Sequence, residues 1–240
     1  MPLRTTVAAS ILLASGWKEA ASTADNSSPL LMPSLLDPFC GSGSIAIEAA
    51  GIALGMPPQR ADVEGRPSRA FALQSWPRFD AGTWASVMHE AQERHALASA
   101  RIQQGLAAER ILGTDRNAGA VRGARENAQR AGLEGAVQFR VASFSESMCE
   151  SLSTAVPVGG LICTNPPWGH RSAADKGDGR HLYQRLGGLF RQHRLGARWH
   201  LSLLVRHLER AHLVDRHLTP CLKLTIGGLK TWMMSNAVER

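Results

Sequence analysis

Apolar positions along the chain follow two spacings, and their alternation sets the expected architecture. Leu35–Asp37, Arg110–Asp115, Val137–Val141, Gly160–Thr164 and Trp199–Val205 carry short apolar runs that read as buried strands. Between them, Ser44–Ala53, Ala85–Leu106, Ala118–Ala131 and Leu182–His193 read as helices, with a further short one ending near Val214. In the third of these, Ala118, Val121, Ala124, Ala128 and Ala131 recur at three- and four-residue steps, and Gly132 stops the helix. Upstream, Val7–Leu13 reads as a short helix capped by Thr5 or Thr6 and ended by Gly16. Residues 20–34 are rich in Ser, Ala and Pro and read as a loop. Pro57, Pro58, Gly65, Pro67 and Pro77 keep 55–80 from forming one regular element. At the end, Cys221–Ile226 and Leu229–Met234 flank Gly227-Gly228, the pattern of a tight two-residue hairpin. Strands alternating with helices predict an α/β fold: a mostly parallel sheet covered on both faces, with a C-terminal antiparallel hairpin at one edge. Ligands of such sheets sit beyond the carboxyl ends of the strands. Three polar clusters lie there: Asp37–Gly43, Asp115–Asn117 and Asn165–Trp168.

Composition narrows the class. With 240 residues, 44% of them hydrophobic, the chain can bury one large core. No apolar run approaches the ~18 residues of a membrane helix. The apolar stretch at residues 7–13 has some features of a signal peptide, and no acid precedes Glu19, as in a mitochondrial presequence. The cytoplasm is the expected location. Cys40, Cys149, Cys163 and Cys221 are far apart and form no CxxC pair, which argues against zinc and for free thiols in a reducing compartment. The histidines at 193, 200, 207, 212 and 217 are not spaced to meet on one helix face, so they read as surface or RNA-facing and no metal is expected.

Charge adds a partner class. Residues 161–240 hold 13 basic and 5 acidic side chains, a net +8, whereas residues 1–160 balance to −1. Arg outnumbers Lys 23 to 4, as compositional drift would give, but drift does not explain why the excess sits in one segment. A one-sided basic surface suits a polyanion such as nucleic acid.

The polar clusters carry the chemistry. Gly41-Ser42-Gly43 between a strand and a helix lets backbone amides approach a ligand in front of a helix N-terminus. With Ala46 it also satisfies a dinucleotide fingerprint, which requires an acid about 20 residues on at a strand end. Glu64 has that spacing but falls in the Pro/Gly-rich stretch, and the first acid closing a strand is Asp115. A nicotinamide cofactor is therefore disfavoured. Asp37, an acid at a buried strand end, needs a partner, and a ligand amino or ammonium group would supply it. Asp115 can accept both hydroxyls of a ribose, with Asn117 left to cap the following helix. In Asn165-Pro166-Pro167-Trp168, the Asn165 amide oxygen and the Pro166 carbonyl form a rigid pair of acceptors. They can hold both hydrogens of a planar amino group and localise its lone pair, without an ionisable base. Trp168 would stack on the plane, worth ~1–3 kcal/mol. This motif suits an amino group on RNA, DNA adenine or protein glutamine alike.

With these residues assembled, the chain resembles the THUMP-associated RNA guanine-N2 methyltransferases, especially the bacterial large-subunit ribosomal RNA enzymes. The resemblance spans nearly the whole chain. Pro2–Ala9 with Ser15-Gly16-Trp17 is similar to the helix opening the family's catalytic domain, and Leu36–Ala50 to its donor-binding motif. Trp76–Asp80 with Trp84 is similar to a segment inserted in the bacterial branch, within an insertion spanning 52–110. Gly113–Asn117 resembles the ribose motif, Thr164–Gly169 the catalytic T-N-P-P-Y-G, and Leu222–Leu224 with Gly227–Leu229 the closing hairpin. The resemblance implies a Rossmann-like class I fold over residues 1–240, beginning with an N-terminal helix in 1–17. It also implies S-adenosylmethionine as donor and N2 of a guanosine in RNA, ribosomal by family, as acceptor. Donor contacts are implied for Thr6, Asp37, Phe39, Cys40, Gly41, Ser42, Gly43, Asp115, Arg116, Asn117, Ser143 and Asn165, and catalysis for Asn165, Pro166, Pro167 and Trp168. Three departures stand out. Trp168 replaces the usual Tyr; Ala142-Ser143 replaces an acid that contacts adenine, leaving the Ser143 hydroxyl as substitute; and Pro2–Ala9 already resembles the start of the catalytic domain, which the family's THUMP domain precedes. The sequence is thus expected to be a fragment, a separately encoded catalytic half, or an enzyme that docks RNA through its own basic C-terminal third, and a separate THUMP-like domain or subunit is a further partner to expect. An RNA-binding homologue without catalysis is the reading from another class.

Overall fold

The computed structural model describes residues 3–17, 34–57, 71–105, 110–155, 160–168, 179–195 and 199–237. Most of the expected loop at 20–34, and Gly169 of the catalytic motif, lie outside them.

Seven strands form one sheet: β1 Ser34–Asp37, β2 Ile111–Asp115, β3 Gln138–Val141, β4 Gly160–Thr164, β5 Trp199–Val205, β6 Thr219–Ile226 and β7 Leu229–Ser235. Their spatial order is β3-β2-β1-β4-β5-β7-β6. β1 to β5 run parallel; β7 pairs antiparallel with β5 and β6. This is the mostly parallel sheet with an antiparallel closing hairpin that the patterning predicts. Gly227 and Gly228 both have positive φ, 57° and 79°, which the tight turn requires and which glycine adopts without strain.

Every residue of β1 is buried, as expected for a central parallel strand. Its side chains alternate between faces. Leu35 joins a core with Ile11 and Leu12 of α1 (Thr5–Ala14), Ala46 and Ala50 of α2 (Ser44–Leu54), and Ala124 and Ala128 of α4 (Ala118–Arg130). Leu36 joins the opposite core with Tyr183, Leu186 and Phe190 of α6 (Arg180–Gln192) and Val214 of α7 (Leu208–Val214). The chain builds β1, β2 and β3 outward to one side, then returns to lay β4 on the other side of β1. The switch point therefore falls between β1 and β4, where ligands of open α/β sheets bind.

Local details depart from the patterning in three places. Arg4, not Thr5 or Thr6, is the N-cap of α1, and it makes no side-chain capping bond. Packing holds this helix instead: Ala8, Ile11 and Leu12 are fully buried, and Trp17 Nε1 donates to the Ala49 carbonyl at 2.9 Å. The long helix α3 spans Ala81–Gln103 and starts four residues before Ala85, because Asp80 caps it by accepting from the Gly82 and Thr83 amides. α5, Glu146–Ala155, was not expected, although Met148, Cys149, Leu152 and Ala155 stand at helical spacing within it. Among the described residues, no helix is long and apolar enough to cross a membrane.

Candidate active site

The turn after β1 is built around two glycines with positive φ, Gly41 at 51° and Gly43 at 83°. A Cβ on Gly43 would lie 2.8 Å from Phe139 Cζ, so this position lacks both the conformation and the room for a side chain. A Cβ on Gly41 would meet nothing within 4 Å: the turn is open there, and a ligand can reach the backbone. Gly43 is also the N-cap of α2 and offers no side-chain acceptor, which leaves the first-turn amides for a ligand.

Residues from two other elements, β2 and α4, hold this turn. The Cys40 amide donates to the Thr114 carbonyl at 2.9 Å. Asp115, closing β2, accepts the Gly41 amide on Oδ2 at 3.1 Å and the Asn117 amide on Oδ1 at 2.8 Å. Both oxygens are thus oriented by backbone, and each keeps a lone pair for a hydroxyl. Asn117 caps α4, its side chain accepting from the Gly119 and Ala120 amides. Asn127 of α4 donates Nδ2 to the Ser42 carbonyl at 2.8 Å. Patterning passes over Asn127, because one polar residue on an amphipathic helix reads as solvent-facing.

Asp37 ends β1 and is 1% exposed. Its Oδ1 accepts the Thr164 hydroxyl at 2.6 Å and the Phe39 amide at 3.2 Å. The Thr164 bond ties the ends of β1 and β4 together across the switch point. Burial pushes the carboxyl up to about 7; the two hydrogen bonds oppose this, and the Asp115 charge adds to it. The Cys40 thiol is likewise pushed up, first by burial and then by Asp37 and Asp115. All four cysteines are free.

Directly after Thr164 comes the Asn-Pro-Pro-Trp segment. Asn165 Oδ1 is buried and has no hydrogen-bond partner among the described residues. A buried acceptor left unpaired costs about 1–3 kcal/mol, so this oxygen is free for a donor arriving in the cleft. Pro166 is buried and Pro167 exposed. Trp168 is half-buried, packs against the first core, and points Nε1 at the Leu204 carbonyl of β5 at 3.4 Å.

The fold thus brings together Asp37, Phe39, Cys40, Gly41, Ser42, Gly43, Asp115, Asn117 and Asn165. Others stand apart from this network. Thr6 is exposed on α1; its helix reaches the site through Leu3, whose carbonyl accepts the Ser44 hydroxyl at 2.9 Å. Arg116 and Ser143 are exposed at the rim. Of the described histidines, His193 departs from a surface role: it is half-buried, and its Nε2 is buried with no partner among the described residues. Among the described residues, no three His, Cys, Asp or Glu side chains gather to hold a metal.

Comparison with protein-family models matches residues 1–232 to the RMKL-like methyltransferase domain. The chain belongs to this family. Among curated proteins, it is 31% identical over 230 residues to ribosomal RNA large subunit methyltransferase K/L of Shewanella sp. strain MR-4, an alignment that covers 95% of this chain and 28% of that protein. The enzyme of the same name from Shewanella oneidensis is also 31% identical, with the same coverage. This RMKL-like domain therefore spans about 28% of the length of these relatives. Among solved structures, SMU.472, complexed with SAH, is 26% identical with a TM-score of 0.69, matching 100% of this chain and 54% of that one. A possible methylase from Clostridium difficile 630 is 26% identical with a TM-score of 0.67, matching 98% and 52%. The sheet order and these neighbours identify the fold as Rossmann-like, of the class I methyltransferase type.

Proposed function

We propose that this RMKL-like domain transfers a methyl group from S-adenosylmethionine to the exocyclic N2 of a guanosine in RNA, of the ribosomal class. The observation that carries the reading is Asn165 Oδ1, a buried acceptor at the switch point with no partner among the described residues, one residue beyond the threonine bonded to Asp37.

The residues fit the donor. The open Gly41 backbone and the α2 N-terminus accommodate its polar tail, and Asp37 offers its carboxylate to the ammonium group. Asp115 offers oriented oxygens to the ribose, with Phe39, Cys40, Ser42, Gly43 and Asn117 shaping the walls; Thr6, Arg116 and Ser143 rim the site. When bound, S-adenosylmethionine supplies a methyl carbon made electrophilic by its sulfonium.

The chain supplies alignment. Asn165 Oδ1 and the Pro166 carbonyl accept the two N–H bonds of the guanine amino group. Holding both hydrogens pulls them from the ring plane and returns the lone pair to nitrogen. No base is needed beforehand: the methylated nitrogen is acidic and sheds its extra proton to water, while the two carbonyl acceptors only orient its N–H bonds. Trp168, braced against β5, stacks on the purine.

RNA is favoured by the basic C-terminal third, and the fold sorts its charges. Arg206 follows β5, the neighbour of β4, at the acceptor edge; Lys223 and Lys230 are exposed on the hairpin beside it. Relatives named as ribosomal RNA methyltransferases support the same class. Residues 1–240 form one catalytic domain in this reading, with 1–17 carrying the opening helix and 52–110 the insertion. It acts in the cytoplasm, with a THUMP-like domain or subunit delivering the RNA. Asn165→Ala tests the mechanism: transfer is lost while calorimetric donor binding is nearly kept. Persisting transfer refutes it.

A further inference from the structure

We propose that Asn127, oriented by Arg130, is a positioning residue that locks the Ser42–Gly43 peptide of the donor turn. The inference rests on the donor reading above.

A turn with two left-handed glycines is easily deformed. Glycine lacks the Cβ that blocks rotation about its own φ, so the peptide planes on either side can flip at little steric cost. In this turn the Ser42–Gly43 plane is held at both ends: the Gly43 amide donates to the Cys40 carbonyl at 2.8 Å, and the Ser42 carbonyl accepts Asn127 Nδ2 at 2.8 Å. The first bond is local and moves with the turn. The second comes from another element and fixes the plane to the body of the domain. α4 is a firm anchor, with Val121, Ala124 and Ala128 buried. Ala124, one turn before Asn127, lies so close that a Cβ on Gly43 would come within 3.0 Å of it.

Arg130 decides which way the Asn127 amide faces. Its guanidinium donates to Asn127 Oδ1 at 2.6 Å. A guanidinium has no acceptor, so the flipped amide would set NH₂ against N–H at one end and oxygen against the Ser42 carbonyl at the other. Both contacts would be repulsive. Arg130 therefore directs Nδ2 toward the turn, and is itself exposed. If the plane flipped, the Ser42 carbonyl would leave Asn127 and the Gly43 amide would leave Cys40, changing the backbone that faces the ligand.

Three variants and three readouts, calorimetry, thermal melting and steady-state kinetics, test this. Calorimetric titration with S-adenosylhomocysteine gives donor-site affinity, and thermal melting gives stability. Asn127→Asp keeps an acceptor for Arg130 but opposes a carboxylate oxygen to the Ser42 carbonyl, so affinity falls about tenfold or more. Asn127→Ala only deletes the bond and loses about fivefold, near the value of one hydrogen bond. Arg130→Ala frees the amide to flip and loses about twofold. The melting temperature changes little in all three, and KM for the donor rises while kcat holds. The order Asp, then Ala, then Arg130→Ala is the signature. Asn127→Asp binding within twofold of the unaltered chain, or better than Asn127→Ala, overturns the relay. So does an affinity loss that only tracks melting temperature. Absence of binding by the unaltered chain overturns the donor reading and the relay with it.

Discussion

Asp37→Asn should make the ligand-free domain more stable in alkaline solution while weakening donor binding. Asp37 is 1% exposed, and burial raises its carboxyl to about 7 from 3.8. Between these values the folded chain holds a proton that the unfolded chain has released. Stability therefore falls as pH rises through this window and levels off above 7. The gap of about three pH units, at about 1.4 kcal/mol each, amounts to about 4 kcal/mol. Asparagine can still accept from the Thr164 hydroxyl and carries no charge to desolvate. The stability of the variant relative to the parent should thus improve by up to about 4 kcal/mol between pH 4 and pH 8. In a domain of this size that corresponds to about 8–16 °C in melting temperature. Donor binding should move the other way. A cationic ammonium group favours the ionised carboxylate, so the parent should lose affinity below pH 7, by up to about tenfold per pH unit, and release a proton on binding. The variant should bind weakly and without this pH dependence. Melting curves of both proteins at pH 4–8, with calorimetric titrations over the same range, measure all of this. A parent–variant stability difference that is flat in pH, or equal donor affinities, would refute the assignment.

Other expectations follow from single contacts. Gly43→Ala should cost about 2–4 kcal/mol in a denaturant melt, from a positive φ and the clash with Phe139, and Phe139→Leu should recover part of it. Lys223→Glu with Lys230→Glu should weaken RNA binding in filter assays and lower the salt slope by about 2, leaving donor binding unchanged. Trp168→Ala should cost ~1–3 kcal/mol in RNA affinity, whereas Trp168→Tyr should keep most of it.

The sheet was legible because its central strands β1, β4 and β5 are almost wholly buried, so their apolar runs stand out from the helices between them, and because Gly227-Gly228 marks the exposed closing hairpin. The site was legible for a related reason. Asp37 and Asp115 close their strands and Asn165 follows one, and the carboxyl ends of neighbouring strands in such a sheet lie together. What escaped the patterning depends on tertiary contacts. α5 carries Met148, Cys149, Leu152 and Ala155 at helical spacing, but they are few among Glu, Ser and Thr in a ten-residue segment and do not stand out. α1 is apolar around much of its circumference, so packing rather than a threonine cap fixes its start. Asn127 has nothing in its neighbours to say that its amide reaches Ser42, 85 residues away. The engagement of both Asp115 oxygens with backbone amides is likewise invisible until the Gly41 turn is folded over β2.

The central claim is methyl transfer to a guanosine amino group in RNA. It is tested most directly by incubating the chain with methyl-labelled S-adenosylmethionine and total RNA, digesting to nucleosides and locating the label by mass spectrometry. Label is expected in N2-methylguanosine, and none with Asn165→Ala. Label confined to DNA or protein, or none while the donor is bound, would contradict it.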